Sequence, residues 1–205
     1  MRKGILLLAA VAFLATFNSC QPEVIITTPE EITIDLGSND AAVLAGVEAS
    51  NKDEVTVSGI NYDHAGEQTA TFAAGDVTLE KVIKVKTDKL AGQYSYKQTI
   101  DGDLDSEIYS CTVTQSTTLF NKIIVSDLLG NASAVDGSAV CQGAAFTLDA
   151  FNVEIPDLGK AAVTGTGTFE KLDGGNYQIS TAEITIDFED ASLESWLIEI
   201  EFTKE

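Results

Sequence analysis

Four carboxylates crowd one short stretch, "DGDLDSE": Asp101, Asp103, Asp105 and Glu107. The first three have the spacing of the opening ligands of an EF-hand calcium loop. Such a loop also needs a glycine at position six and a bidentate glutamate at position twelve. Those places hold Ser106 and Thr112. The stretch therefore reads as a hairpin tip made of ordinary turn residues, with a weak calcium site of another kind as the alternative. His64, the sole histidine, lies in the turn-like "NYDHAGEQ". One imidazole leaves little room for a proton relay or for the His and Cys sets that bind zinc. No carboxylate pair stands out from the many present. The glycines of "GTGTFEK" follow a strand pattern with no helix after them, so they cradle no phosphate. These residues make no catalytic set, and the expectation is a non-enzymatic protein without a cofactor.

Cysteines and aromatics are the other chemical levers. Cys111 alternates with Tyr109 and Val113 on an apolar strand face, which suits burial better than an activated thiolate. Cys111 and Cys141 can form a disulfide if their strands are neighbours, with Cα atoms within about 7 Å; otherwise they are two buried thiols. Tyr94 and Tyr96 share a strand face, and Tyr62 sits in a loop. Exposed, these rings would form a stacking platform for a sugar; buried, they would fill a core. Trp196 lies on the apolar face of its strand and reads as core.

The elements that must position these residues are strands. Apolar residues alternate with period two in short runs separated by Gly, Asp and Asn, and no sustained helical pattern follows Cys20. In "ESWLIEIEF", Trp196, Ile198, Ile200 and Phe202 share one face while Leu197, Glu199 and Glu201 share the other. In "AEITIDF", Ala182, Ile184, Ile186 and Phe188 line up. In "VTGTGTF", Val163 and Phe169 share their face with Gly165 and Gly167, and glycines inside a strand mark a sharp bend. The chain is predicted to be all-β, with a break near "KTDKLAGQYSY" separating residues 31–87 from residues 88–205.

The N-terminus carries a different signal. Arg2 and Lys3 precede the uncharged run "GILLLAAVAFLAT", about 13 residues and too short for a spanning helix, which needs about 20. A basic start, a short apolar stretch and small residues before a cut site make an export signal, here residues 1–19. All 32 acidic residues follow Cys20, whereas two of the 12 basic ones precede it, so the chain from Cys20 carries 32 minus 10, a net charge of −22. That field repels phosphate backbones, and nucleic acid is excluded as a partner.

The residues "FNSC" resemble the lipobox of bacterial lipoproteins, with Ser19 and Cys20 matching its end. The resemblance implies lipidation of Cys20 and a membrane partner through that anchor, two or more chains giving stable attachment. Residues 20–30 would then be a tether. The acids Glu23, Glu30 and Glu31 behind Cys20 partly match surface-export signals of Bacteroidetes lipoproteins, which implies the outer membrane and its outer face ahead of the periplasmic leaflet. "GVEASNKDEVTVSGINYDHAGEQTATFAAGD" followed by "EKVIKVKT" is similar to Ig-like or PKD-like bacterial surface domains, which implies a small spacer sandwich over residues 31–87. "LAGQYSY", "GTGTFEK" and the terminal "IEIEFTKE" resemble the lipocalin-like or calycin-like β domains of Bacteroidetes lipoproteins. That implies an antiparallel meander, barrel or sandwich, over residues 88–205. In that compartment the "NAS" sequon at Asn131 has no weight.

The expected function is that of a non-catalytic envelope module binding glycan or a partner protein. The alternatives are a carrier of a small apolar ligand and an inhibitor of an extracellular hydrolase. A carrier needs a large apolar cavity, a glycan binder needs exposed coplanar aromatics, and an inhibitor needs a protruding rigid loop.

Overall fold

The computed structural model describes residues 23–130 and 135–205. The export signal, Cys20 and Asn131 lie outside the described residues. The chain is all-β apart from a one-turn helix, α1 (Asp40–Val43), and a 3₁₀ turn at Asp88–Leu90. No helix among the described residues is long and apolar enough to cross a membrane.

The N-terminal unit is small and mixed. Strands β1 (Ile26–Thr27) and β3 (Glu48–Ala49) pair with each other. Beside them β2 (Thr33–Ile34), β4 (Thr56–Ser58), β5 (Gly66–Ala74) and β6 (Val77–Val85) form a four-stranded curled sheet, ordered β2-β6-β5-β4. The β5–β6 hairpin is its spine, and β2 lies parallel to β6. Alternation along β5 puts Ala70, Phe72 and Ala74 inside, where they meet Ile83 and Val85 of β6.

Residues from Gly92 onward build a closed barrel. Its strands are β7 (Gly92–Ile100), β9 (Tyr109–Gln115), β10 (Lys122–Ser126), β11 (Gly137–Gln142), β12 (Ala145–Ile155), β13 (Gly159–Lys171), β14 (Tyr177–Phe188) and β15 (Trp196–Lys204). Each pairs antiparallel with the next, and β15 returns to β7 from Ile198↔Ile100 to Lys204↔Tyr94. This is an eight-stranded lipocalin-like meander, and closure removes the exposed edges that an open sheet would leave. The two-residue strand β8 (Asp103–Leu104) folds back on the end of β7.

Two irregularities shape the barrel. Register shifts between Leu148 and Phe151 on β12, and between Thr168 and Phe169 on β13. At the second, Thr168 faces both Ser180 and Thr181, and its hydroxyl lies 2.9 Å from each of theirs. An extra residue on one strand is a β-bulge, which bends the sheet and increases its twist. The bulge also reverses which residues of β14 point inward: Tyr177 and Ile179 before it, Ala182, Ile184 and Ile186 after it.

The interior is packed. Tyr94 and Tyr96 of β7 meet Phe202 of β15 at ring-centroid distances of 6.2 and 5.6 Å. Leu90 of the 3₁₀ turn closes the end from which β7 starts, and the Tyr94 hydroxyl donates to the Leu90 carbonyl at 2.8 Å. The loop after β10 folds Leu128 and Leu129 in at the opposite mouth, where the Tyr96 hydroxyl donates to the carbonyls of Asp127 and Leu128. Lys204 Nζ donates to the carbonyls of Lys89 and Tyr177 and sits 5.8 Å over the Tyr94 ring. Its carbon stem runs past Gly92, where a Cβ would come within 2.7 Å of Lys204 Cε.

The two units touch through polar contacts. Asp63, in the loop before β5, accepts from the Tyr177 hydroxyl and from Lys171 Nζ, the latter at 2.9 Å. Ala65 and Gly143 exchange backbone hydrogen bonds of 2.9 Å.

Candidate functional site

The barrel interior leaves an apolar void of about 10 Å³ among Val125, Leu128, Phe146, Ile179 and Phe202. A space of that size holds at most one water, far below the roughly 300 Å³ of a small-molecule site. The larger concavities lie outside. One groove of about 570 Å³ crosses the outer face from β12 through β13, β14 and β15 to β7. A shallower depression of about 340 Å³ continues it, sharing Gly167's neighbour Thr166 and also Glu183.

The groove follows from the glycines of β13. Gly165 and Gly167 face inward, on the side of Val163 and Phe169. A Cβ on Gly165 would come within 2.6 Å of the Glu183 carbonyl, and one on Gly167 would overlap the Phe146 ring and the Thr181 carbonyl. Phe146 occupies the space that a side chain at Gly167 would need. Both glycines also line the outer concavities, Gly167 the groove and Gly165 the depression that continues it.

Pairing registers arrange the outward residues in rows. One row runs Thr147, Thr166, Glu183, Glu199, Thr99, Leu104 across β12, β13, β14, β15, β7 and β8. A second runs Ala145, Thr168, Thr181, Glu201, Lys97. Neighbouring strands are about 4.8 Å apart, so the first row spans about 24 Å. Glu183 and Glu199 stand directly opposite each other, a like-charge pairing that costs stability. The side chains of Glu183, Glu199, Glu201 and Lys97 make no hydrogen bond or ion pair with the described residues. At the rim Leu104 is 72 % exposed, whereas Ile108, 65 % exposed, lines a separate depression with Tyr109, Asp127 and Gly130.

The residues singled out from the sequence lie elsewhere or serve other ends. Tyr94 and Tyr96 are buried, so they belong to the core and cannot stack on a ligand at the surface. Burial pushes the Tyr94 hydroxyl up to about 12. Tyr62 is half-buried, and its hydroxyl donates to Asp40 at 2.6 Å, tying its loop to α1. Trp196 packs edge-to-face on Phe188 at 5.0 Å. His64 lies in the turn before β5, its carbonyl accepting from Gln68.

The carboxylates of "DGDLDSE" do not converge. Asp101 and Gly102 both have positive φ and form the turn of the β7–β8 hairpin, as Asp-Gly pairs do. Asp101 Oδ1 accepts from the Leu197 amide at 2.8 Å, clipping the hairpin to β15. Asp105 accepts from the Tyr109 hydroxyl at 2.7 Å, from Gln98 and from the Glu107 amide, which hold its carboxyl below the usual range. No group of three or more His, Cys, Asp or Glu among the described residues could hold a metal ion.

Cys111 and Cys141 are two free, buried thiols rather than a disulfide. Cys111 is on β9 and Cys141 on β11, with β10 between them. Their registers on β10 fall beside Asp127 and Asn121, six residues apart, or about 20 Å along the strand. No side-chain movement closes that gap. Burial pushes both thiols up to about 12.

Reading the sequence strand by strand missed the groove, because it arises from residues of six strands. The alternating Thr and Glu of β13, β14 and β15 were its only trace in the sequence. Comparison with protein-family models, with curated proteins and with solved structures finds no significant match to this chain.

Proposed function

We propose that this protein is a lipid-anchored, non-catalytic module of the cell envelope that recognises a glycan or a partner protein with the outside of its barrel. The observation that carries this reading is the filled interior, about 10 Å³, beside an outer groove of about 570 Å³. Cys20 would attach the chain to the outer membrane, with the N-terminal unit as an Ig-like spacer and the barrel as the calycin-like recognition domain. The contacts of Asp63 with Tyr177 and Lys171 suit a spacer that presents the barrel in one orientation.

The test is a titration of the chain from Gln21, which contains every described residue, with a solvatochromic apolar dye. The expected result is no saturable binding. One-site binding competed by fatty acids would overturn the reading in favour of a carrier. Anchoring is tested separately: the full chain should incorporate labelled palmitate in a lipoprotein-processing host, and Cys20→Ala should abolish incorporation.

A further inference from the structure

We infer that the outer groove docks an extended, basic segment of a partner polypeptide, cationic side chains over Glu183, Glu199 and Glu201 and an apolar side chain on Leu104. This rests on the outer-face reading above and names the ligand class.

Shape and chemistry both favour this occupant. A row of about 24 Å matches about seven residues of extended chain at about 3.3 Å each. The threonines of the row, Thr147, Thr166 and Thr99, offer hydroxyls to a passing backbone. Glu183 and Glu199 oppose each other and form no ion pair, while Lys97, the one basic side chain lining the groove, stands opposite Glu201 in the neighbouring row. A lysine or arginine lying between them would turn a repulsion into two attractions. Leu104 is the most exposed large apolar side chain among the described residues, and it lies at one end of the same row. An apolar side chain of the docked segment would cover Leu104 and remove that apolar area from water.

Other occupants fit less well. A second copy would bring its own charge of −22 against this one. The tether behind Cys20 carries Glu23 and Glu30 and no basic residue. A neutral glycan would meet no aromatic side chain, since none lines either concavity.

The test uses a fluorescent decapeptide of alternating lysine and threonine ending in leucine, titrated against the chain from Gln21 in low salt. The expected result is saturable 1:1 binding that weakens steeply with salt. E183Q/E199Q should weaken it at least tenfold, and Leu104→Ser several-fold. A control of equal charge change on the other unit, E54Q/E80Q, should stay within twofold. E183Q/E199Q should melt at or above the parent temperature, since it removes a like-charge pair.

Equal weakening by E54Q/E80Q would overturn the proposal, leaving only bulk acidity. No binding of the peptide, with retention on a polysaccharide gel that E183Q/E199Q abolishes, would also overturn it while sparing the outer-face reading. One-site dye binding inside the barrel would instead remove the outer-face reading itself.

Discussion

Asp63 shows how much one carboxylate can hold. It accepts from Tyr177 and Lys171, more than 100 residues away in the chain, and these hydrogen bonds keep its carboxyl below the usual range. Charge-assisted hydrogen bonds contribute about 1.5–3 kcal/mol, and partial exposure lowers that figure here. Asp63→Ala should therefore destabilise the chain by about 1–2 kcal/mol, read from the denaturant midpoint. Lys171→Ala should cost less, because an exposed ion pair contributes about 0–1 kcal/mol. A second prediction concerns the thiols. Burial of Cys111 and Cys141 keeps them protonated at pH 8, so the native chain from Gln21 should not react with a thiol reagent within minutes. Both should react once it is unfolded, and a single reacting thiol or none would contradict the two free cysteines.

At the scale of the element, β13 is the strand on which the barrel depends. It lies between β12 and β14 and carries the inward Gly165 and Gly167. Gly167→Val would drive a branched side chain into the Phe146 ring and the Thr181 carbonyl. Overpacking of this kind costs about 1–3 kcal/mol or more, and the substitution should lower the melting temperature clearly. Thr166→Val, on the outward side of the same strand, should change it little. The pair separates packing from general strand propensity, since valine favours strands at both positions. The β7–β8 hairpin is the other informative element. Its Asp101-Gly102 turn is local and was legible as a hairpin tip. The link from Asp101 to Leu197 of β15 was not, because nothing near Asp101 in sequence marks that partner.

At the scale of the whole molecule, charge dominates. The chain from Cys20, with a net charge of −22, repels itself when compact. Screening shortens the range of that repulsion, from about 30 Å at 0.01 M salt to about 3 Å at 1 M. The melting temperature should therefore rise with sodium chloride, and a fall would show that the four ion pairs among the described residues outweigh the repulsion. Acid acts through specific groups. Asp63 and Asp149 are held low by hydrogen bonds, Asp63 from Tyr177 and Lys171, Asp149 from Lys122 and Ser138. A folded value below the unfolded one means that the stability is fully present above the unfolded value, about 3.9, and is lost as pH falls through the folded value. Stability should thus fall below about pH 4, and Asp63→Asn should make that fall shallower.

The sequence by itself determined the all-β class, the inward faces of β13, β14 and β15, and the acidity. Each is local, because a period-two pattern marks its buried face wherever the strand finally pairs. Tertiary structure decided what those patterns could not carry. Whether the meander closed as a barrel depended on β15 meeting β7, about a hundred residues apart. Whether Tyr94 and Tyr96 were platform or core depended on which side of that closed wall they faced. Cys111 and Cys141 were held apart by an intervening strand and a six-residue offset in register. The groove combined outward residues of six strands with two glycines of β13. Register between distant strands is a property of the assembled sheet, and no single strand's sequence encodes it.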